Sequence, residues 1–99
     1  MTQLTIIAHL VAKPDKIEET RKFLLGLVHP TRPEPGCVEY HLHQDNDNPT
    51  EFTFYENWTN RGEWDKHMEL PHLSEFAKKA PELFAKDPHI RLMTMISDR

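Results

Sequence analysis

Two histidines, His67 and His72, stand five residues apart in a segment that also holds Glu63, Trp64 and Phe76. Imidazole has the ordinary side-chain pKa nearest neutrality, so two such rings in one pocket can take up and return a proton at physiological pH. On an unbroken helix a spacing of five sets two side chains about 140° apart. Pro71 lies between them, and a break at Leu70-Pro71, with Pro71 opening a new helical turn, is what lets both rings converge. Glu63 is one helical turn before His67 and can meet it, and Trp64 shares the His67 face. Glu56 and Trp58 fall on the strand before this segment. Most aromatic residues in such positions are simply core, and a histidine on a helix facing a sheet is often a satisfied core residue. Trp64, beside His67, is the aromatic best placed to wall a pocket.

His41 and His43 are two apart on a strand, so they point the same way, a spacing that metal ligands use. If their face meets the helices, His67, His72 or Glu56 could complete a zinc or iron site. If it meets a partner subunit, they are interface residues beside His9 and Glu39. Cys37 has no adjacent residue that would lower its pKa and reads as a small apolar residue rather than a nucleophile.

These residues need elements to hold them. Leu4 to Ala12 is a strand with apolar residues on both faces, so both faces of its sheet are expected to be covered. Lys13-Pro14-Asp15 turns the chain into a helix with Ile17, Phe23, Leu24, Leu27 and Val28 as its apolar stripe, ending by His29 because Pro30 follows. Pro30 to Gly36 is a stiff connector. From Cys37, Val38, Tyr40 and Leu42 alternate with Glu39, His41 and His43, and Phe52 to Trp58 alternates again. The Asp45–Pro49 turn makes these two a hairpin. Asn60 followed by Glu63 reads as an N-cap with a capping-box partner. Leu73, Phe76 and Ala77 continue a helical face, Pro81 starts a further turn with Leu83 and Phe84, and Ile90 to Ile96 is the last strand.

The order βαββαβ is that of a ferredoxin-like α+β sandwich with a four-stranded antiparallel sheet, one domain over residues 1–99. Two helices cover one sheet face, so the other is expected to be buried in a homodimer, which makes a dimeric α/β barrel. A net charge of −4 argues against nucleic acid or an anionic membrane surface as a ligand. No run approaches the roughly 20 apolar residues of a membrane span. The single cysteine suits a reducing cytoplasm.

Taken in order, these residues resemble the antibiotic biosynthesis monooxygenase domain family, including its small quinol-monooxygenase-like proteins. The resemblance rests on Lys13-Pro14-Asp15, on Glu34-Pro35-Gly36-Cys37 leading to Tyr40, on Pro49 through Phe52 to Glu56-x-Trp58, and on His67, His72 and Phe76. It implies a dimeric ferredoxin-like barrel with a pocket between sheet and helices. It also implies oxidation of a small hydroxylated aromatic, a quinol or phenolic polyketide, by O2 without metal or flavin. On that reading the chain is an oxidoreductase in which His67 and His72 are the base and a hydrogen-bonding partner for the oxyanion. Glu56 would orient a ring, and Tyr40, Trp58, Trp64 and Phe76 would bind the substrate. Asp15 replaces a more usual glycine, and Trp64 and Asp65 stand where the family has a small apolar residue, which narrows the pocket. Haem-degrading relatives use an Asn on the first strand and a Trp on the later helix. Here Ala8 or His9 and His67 occupy those places, which counts against that activity. A non-catalytic module binding a small aromatic, or a haem or metal binder, is the competing reading.

Overall fold

The computed structural model describes residues 3–97. Its elements are β1 (Leu4–Val11), α1 (Ile17–Thr31), β2 (Cys37–Gln44), β3 (Glu51–Trp58), α2 (Arg61–His67), α3 (Pro71–Leu83) and β4 (His89–Thr94). The strands form one antiparallel sheet in the order β2-β3-β1-β4, the ferredoxin-like arrangement that the alternation of strand and helix patterns predicts. The β2–β3 turn is held by Asp45, whose Oδ2 accepts from the backbone N–H of Asp47 at 2.9 Å and of Asn48 at 2.8 Å.

Register decides which residues reach the helices. Ile6 lies opposite Glu56, Ala8 opposite Phe54 and Leu10 opposite Phe52, and on β2 Tyr40 and Leu42 extend the same rows. Side chains alternate along a strand, so all of these share one face. With Leu24 and Leu27 of α1 and Leu83 of α3 they make the core. Full burial of a large apolar side chain is worth about 1.5–3 kcal/mol, so this face is what holds the helices to the sheet.

The opposite face carries Thr5, Ile7, His9 and Val11 beside Asn57, Tyr55, Thr53 and Glu51, with Glu39, His41 and His43 on β2. It is stitched by polar pairs: Thr5 Oγ1 donates to Asn57 Oδ1 at 2.6 Å, and Asn57 Nδ2 donates to Glu39 Oε2 at 2.8 Å. Asn57 is fully buried although it lies on the side away from the helices. His41 and His43 therefore point away from α2 and α3, and a metal site combining them with His67, His72 or Glu56 is excluded by the register.

Three boundaries depart from the local reading, the first two for tertiary reasons. α1 does not stop at His29 but runs through Pro30 to Thr31, which is fully buried. Pro81 does not begin a new turn; it sits inside α3. A proline within a helix costs about 3 kcal/mol, comparable to the gain from burying Leu83 and Phe84 beyond it. Those two residues are also tied to the end of β1: the Lys13 N–H donates to Leu83 O at 2.8 Å, and Phe84 bridges Ala12. The last strand ends at Thr94, and Ile96, 97% exposed, continues no buried face.

Candidate active site

α2 starts where the sequence places it. Asn60 is extended and its Oδ1 accepts from the Glu63 N–H at 2.9 Å. The other half of the capping box does not form, because the Glu63 carboxylate accepts from Lys66 Nζ at 3.1 Å instead. α2 ends on His67, the Leu70 N–H closes back on His67 O at 3.1 Å, and α3 opens with Pro71 in its first turn. This break brings the His67 and His72 ring centroids to 5.9 Å, inclined by 62°.

The rings converge on Glu34. His67 Nδ1 lies 2.9 Å from Glu34 Oε1 and 3.1 Å from Oε2, and His72 Nε2 lies 3.0 Å from Oε2. His72 Nε2 is also 3.2 Å from the Thr31 hydroxyl. Glu34 comes from the connector between α1 and β2, where Gly36 takes φ +85°, a conformation that favours glycine. Gly36 O accepts from the Thr59 N–H at 2.9 Å, so the connector is pinned to the β3–α2 junction and its carboxylate is delivered under α2. The His67 side chain is 1% exposed and that of Glu34 9%, against 21% for His72. A carboxylate accepting from Nδ1–H fixes the tautomer that leaves Nε2 with a free lone pair. Burial holds the His67 pKa below the ordinary imidazole value, opposed by the Glu34 charge and its hydrogen bond. Glu34 thus orients a ring that burial keeps neutral.

On its other side His67 joins the wall of an apolar cavity of about 30 Å³ between sheet and helices, with Tyr40, Glu56, Trp64, Met68 and Phe76 among its lining. Glu56 is buried on β3, and its Oε1 accepts from Trp58 Nε1 at 2.9 Å. Burial pushes its carboxyl up to about 7, despite the Trp58 hydrogen bond. Trp58 is not at the cavity; it packs on His67 with centroids 4.6 Å apart. Tyr40 meets the His67 ring edge-on at 5.7 Å, and burial together with the Glu56 charge raises its phenol strongly, so it stays protonated. Cys37 is half-buried, and desolvation first, then Glu34, pushes its thiol up to about 11.

Of the residues singled out in the sequence, His67, Glu56, Tyr40, Trp64 and Phe76 meet at the cavity. His72 stands behind His67, against Glu34 and Thr31, and is not among the lining residues. Glu34 and Thr31 went unassigned in the residue-by-residue reading. Glu34 carried one signal, its place before Pro35-Gly36 in a motif shared with the resembling family, and nothing local ties it to histidines 33 and 38 residues away.

The comparisons with known proteins agree with this fold. The family profile described as "Antibiotic biosynthesis monooxygenase" matches residues 3–79. An uncharacterized protein of Synechocystis is 35% identical over 90% of the chain, which spans about 60% of that relative's length. The crystal structure of PA3566 from Pseudomonas aeruginosa superimposes with a TM-score of 0.92 at 30% identity, covering 98% of this chain and 97% of that one. Rv0793 from Mycobacterium tuberculosis, provisionally named a monooxygenase, matches with a TM-score of 0.91 at 25% identity over 98% of each chain. A match spanning β1 through most of α3, and so every residue of the Glu34–His67–His72 cluster, establishes that the chain belongs to the antibiotic biosynthesis monooxygenase family.

Proposed function

We propose that this protein is a cofactor-independent oxidoreductase that uses O2 to oxidise a small hydroxylated aromatic, of the quinol or phenol class. The observation that carries the reading is the Glu34–His67 pair, with the second ring nitrogen left free on a residue that walls an apolar cavity. His67 Nε2 takes the proton of a substrate hydroxyl, and the resulting aryloxide is a far better electron donor than the phenol. One electron passes to O2, giving an aryloxyl radical and superoxide. For a hydroquinone, a second electron and the second hydroxyl proton follow, so that quinone and hydrogen peroxide leave. For a monooxygenation the two radicals combine, and the peroxide collapses to a quinone carbonyl and water. Glu56, with its carboxyl near 7, supplies a proton to the reduced oxygen species, and the proton that His67 took from the substrate then restores the Glu56 carboxyl, so both groups return to their starting states. His72 acts at one remove, by holding Glu34.

The cavity of about 30 Å³ accommodates O2 or water but not an aromatic ring. An engineered protein cavity that binds benzene measures roughly 150 Å³. Substrate entry on this reading displaces Trp64 and Met68, both on the α2 side of the cavity, rather than the sheet. Homodimerisation through the sheet face opposite the helices belongs to the same proposal, since that face already buries Asn57 and Thr5 and leaves Met93 partly exposed. So does residence in a reducing compartment such as the cytoplasm, suited to the free Cys37. Among the described residues no helix is long and apolar enough to cross a membrane.

Oxygen uptake by metal-stripped protein against a panel of quinols and anthrone-like phenols, with autoxidation measured in parallel, tests the proposal. Saturable uptake above the control that is lost in His67→Ala supports it. Ligand binding with no O2 dependence would favour a binding module instead.

A further inference from the structure

We propose that Glu34, His67 and His72 also form a binding site for a first-row divalent metal ion, and that the metal competes with the proton that His67 carries on Nδ1. These are two imidazoles and one carboxylate, a donor set that zinc and its neighbours take readily. One ligand atom from each lies within 4.8 Å of the other two. Ligand atoms about 2.1 Å from a metal are about 3.0–3.4 Å from one another in octahedral or tetrahedral geometry. Measured to the one carboxylate oxygen that both rings share, Glu34 Oε2, the separations are 3.1 Å from His67 Nδ1 and 3.0 Å from His72 Nε2, within that edge range. The third separation, between His67 Nδ1 and His72 Nε2, is within 4.8 Å, and His72, the most exposed of the three side chains, is the one whose rotation would shorten it. A crevice of about 220 Å³ lined by Glu34, Pro35, Glu63, Lys66, His67 and Leu70 borders the site and shares only His67 with the lining of the apolar cavity. The metal would thus take Nδ1 of the ring while an aromatic substrate meets Nε2.

The consequence is a change of tautomer. Without metal, the His67 proton sits on Nδ1, facing Glu34, and Nε2 is a proton acceptor. Metal on Nδ1 takes that lone pair, and the ring proton moves to Nε2, which becomes a donor. The imidazole stays neutral, but the nitrogen offered to the cavity can no longer accept a proton. Metal binding stands independently of the oxygenase reading; its inhibitory effect rests on that reading.

The probes are zinc, followed by calorimetric titration of the purified full chain, and cobalt(II), followed by its visible d–d absorption. The expected result is one ion per chain, with affinity roughly tenfold or more lower in His72→Asn and unchanged in His43→Ala, whose histidine lies on the other sheet face. Melting temperatures of the two variants check that they fold. Absence of zinc binding to wild-type protein at tens of micromolar, or equal affinity in wild type and His72→Asn, overturns the site. If oxygen uptake is found, it should fall in proportion to zinc occupancy and return with chelator. Full uptake at full occupancy overturns the inhibition while the titration still upholds the site. An inactive protein that binds zinc at His72 would refute the oxygenase reading alone.

Discussion

Gly36→Ala should be among the most damaging single-methyl changes in this chain. Gly36 has φ +85°, and a Cβ built there would lie 2.5 Å from both Cβ and Cγ of Glu63 in α2. The left-handed conformation costs a non-glycine residue about 1–2 kcal/mol. Relieving a contact that close requires α2 to move, and overpacking of this kind costs about 1–3 kcal/mol more. The sum, about 2–5 kcal/mol, is a large fraction of the roughly 5–15 kcal/mol that stabilises a domain of this size. For a domain of this length it corresponds to a fall in melting temperature of about 10 °C or more. The same shift would move Glu63 and its helix relative to Glu34, so the Glu34–His67 hydrogen bond should weaken as well. Urea denaturation and calorimetry of the variant measure the stability. Gly26→Ala is the control: nothing lies within 4 Å of its Cβ position, it is inside α1, and alanine there should stabilise by about 0.5–1 kcal/mol. A Gly36→Ala protein within about 0.5 kcal/mol of wild type would refute the argument that glycine is required to seat the connector against α2.

Other expectations follow from the site. Glu34→Gln keeps the shape but removes the charge and allows the amide to orient His67 the wrong way round, so turnover of an identified substrate should fall about 100-fold or more with little change in KM. Glu56 has its folded pKa raised to about 7 from 4.5, so the native state binds more protons than the unfolded chain between those values. Stability from this group is therefore fully present below about 4.5 and is lost as pH rises through 7, a decline on the order of 3 kcal/mol that Glu56→Gln should abolish. Denaturant midpoints of both proteins across that range check the sign and size. Trp64→Ala should cost stability at or below the usual 3–5 kcal/mol for a buried aromatic, and should widen the cavity enough to bind larger aromatics, measurable by calorimetric or fluorescence titration.

Much of the architecture could be read from periodicity, because strands and helices each expose one face to a single core. β3 and α2 are recognisable from the switch in spacing at Asn60, and Pro71 signals that His67 and His72 approach each other, but not that they meet at Glu34 with His72 outside the cavity. What could not be read was whatever depends on contacts distant in the chain. Pro30 and Pro81 looked like helix boundaries by local rules, yet Thr31 and Leu83 are buried beyond them, and tertiary packing outweighs the proline penalty. The orientation of His41 and His43 follows only once β2 is registered against β3. Glu34 was hidden for the same reason, since it sits in a proline-rich connector and meets its histidines only when α2 folds over it. Glu63, the nearer carboxylate in sequence, is engaged by Lys66.

Every role proposed for the site depends on Glu34 holding His67 as a neutral ring with its proton on Nδ1 and its lone pair on Nε2. Long-range proton–nitrogen correlation NMR of the imidazoles, with His67 assigned by comparison with His67→Ala, reads this directly and needs no substrate. At pH 7 in metal-free protein Nδ1 should be protonated and Nε2 unprotonated. An imidazolium, or a proton on Nε2 with Nδ1 bare, would contradict it.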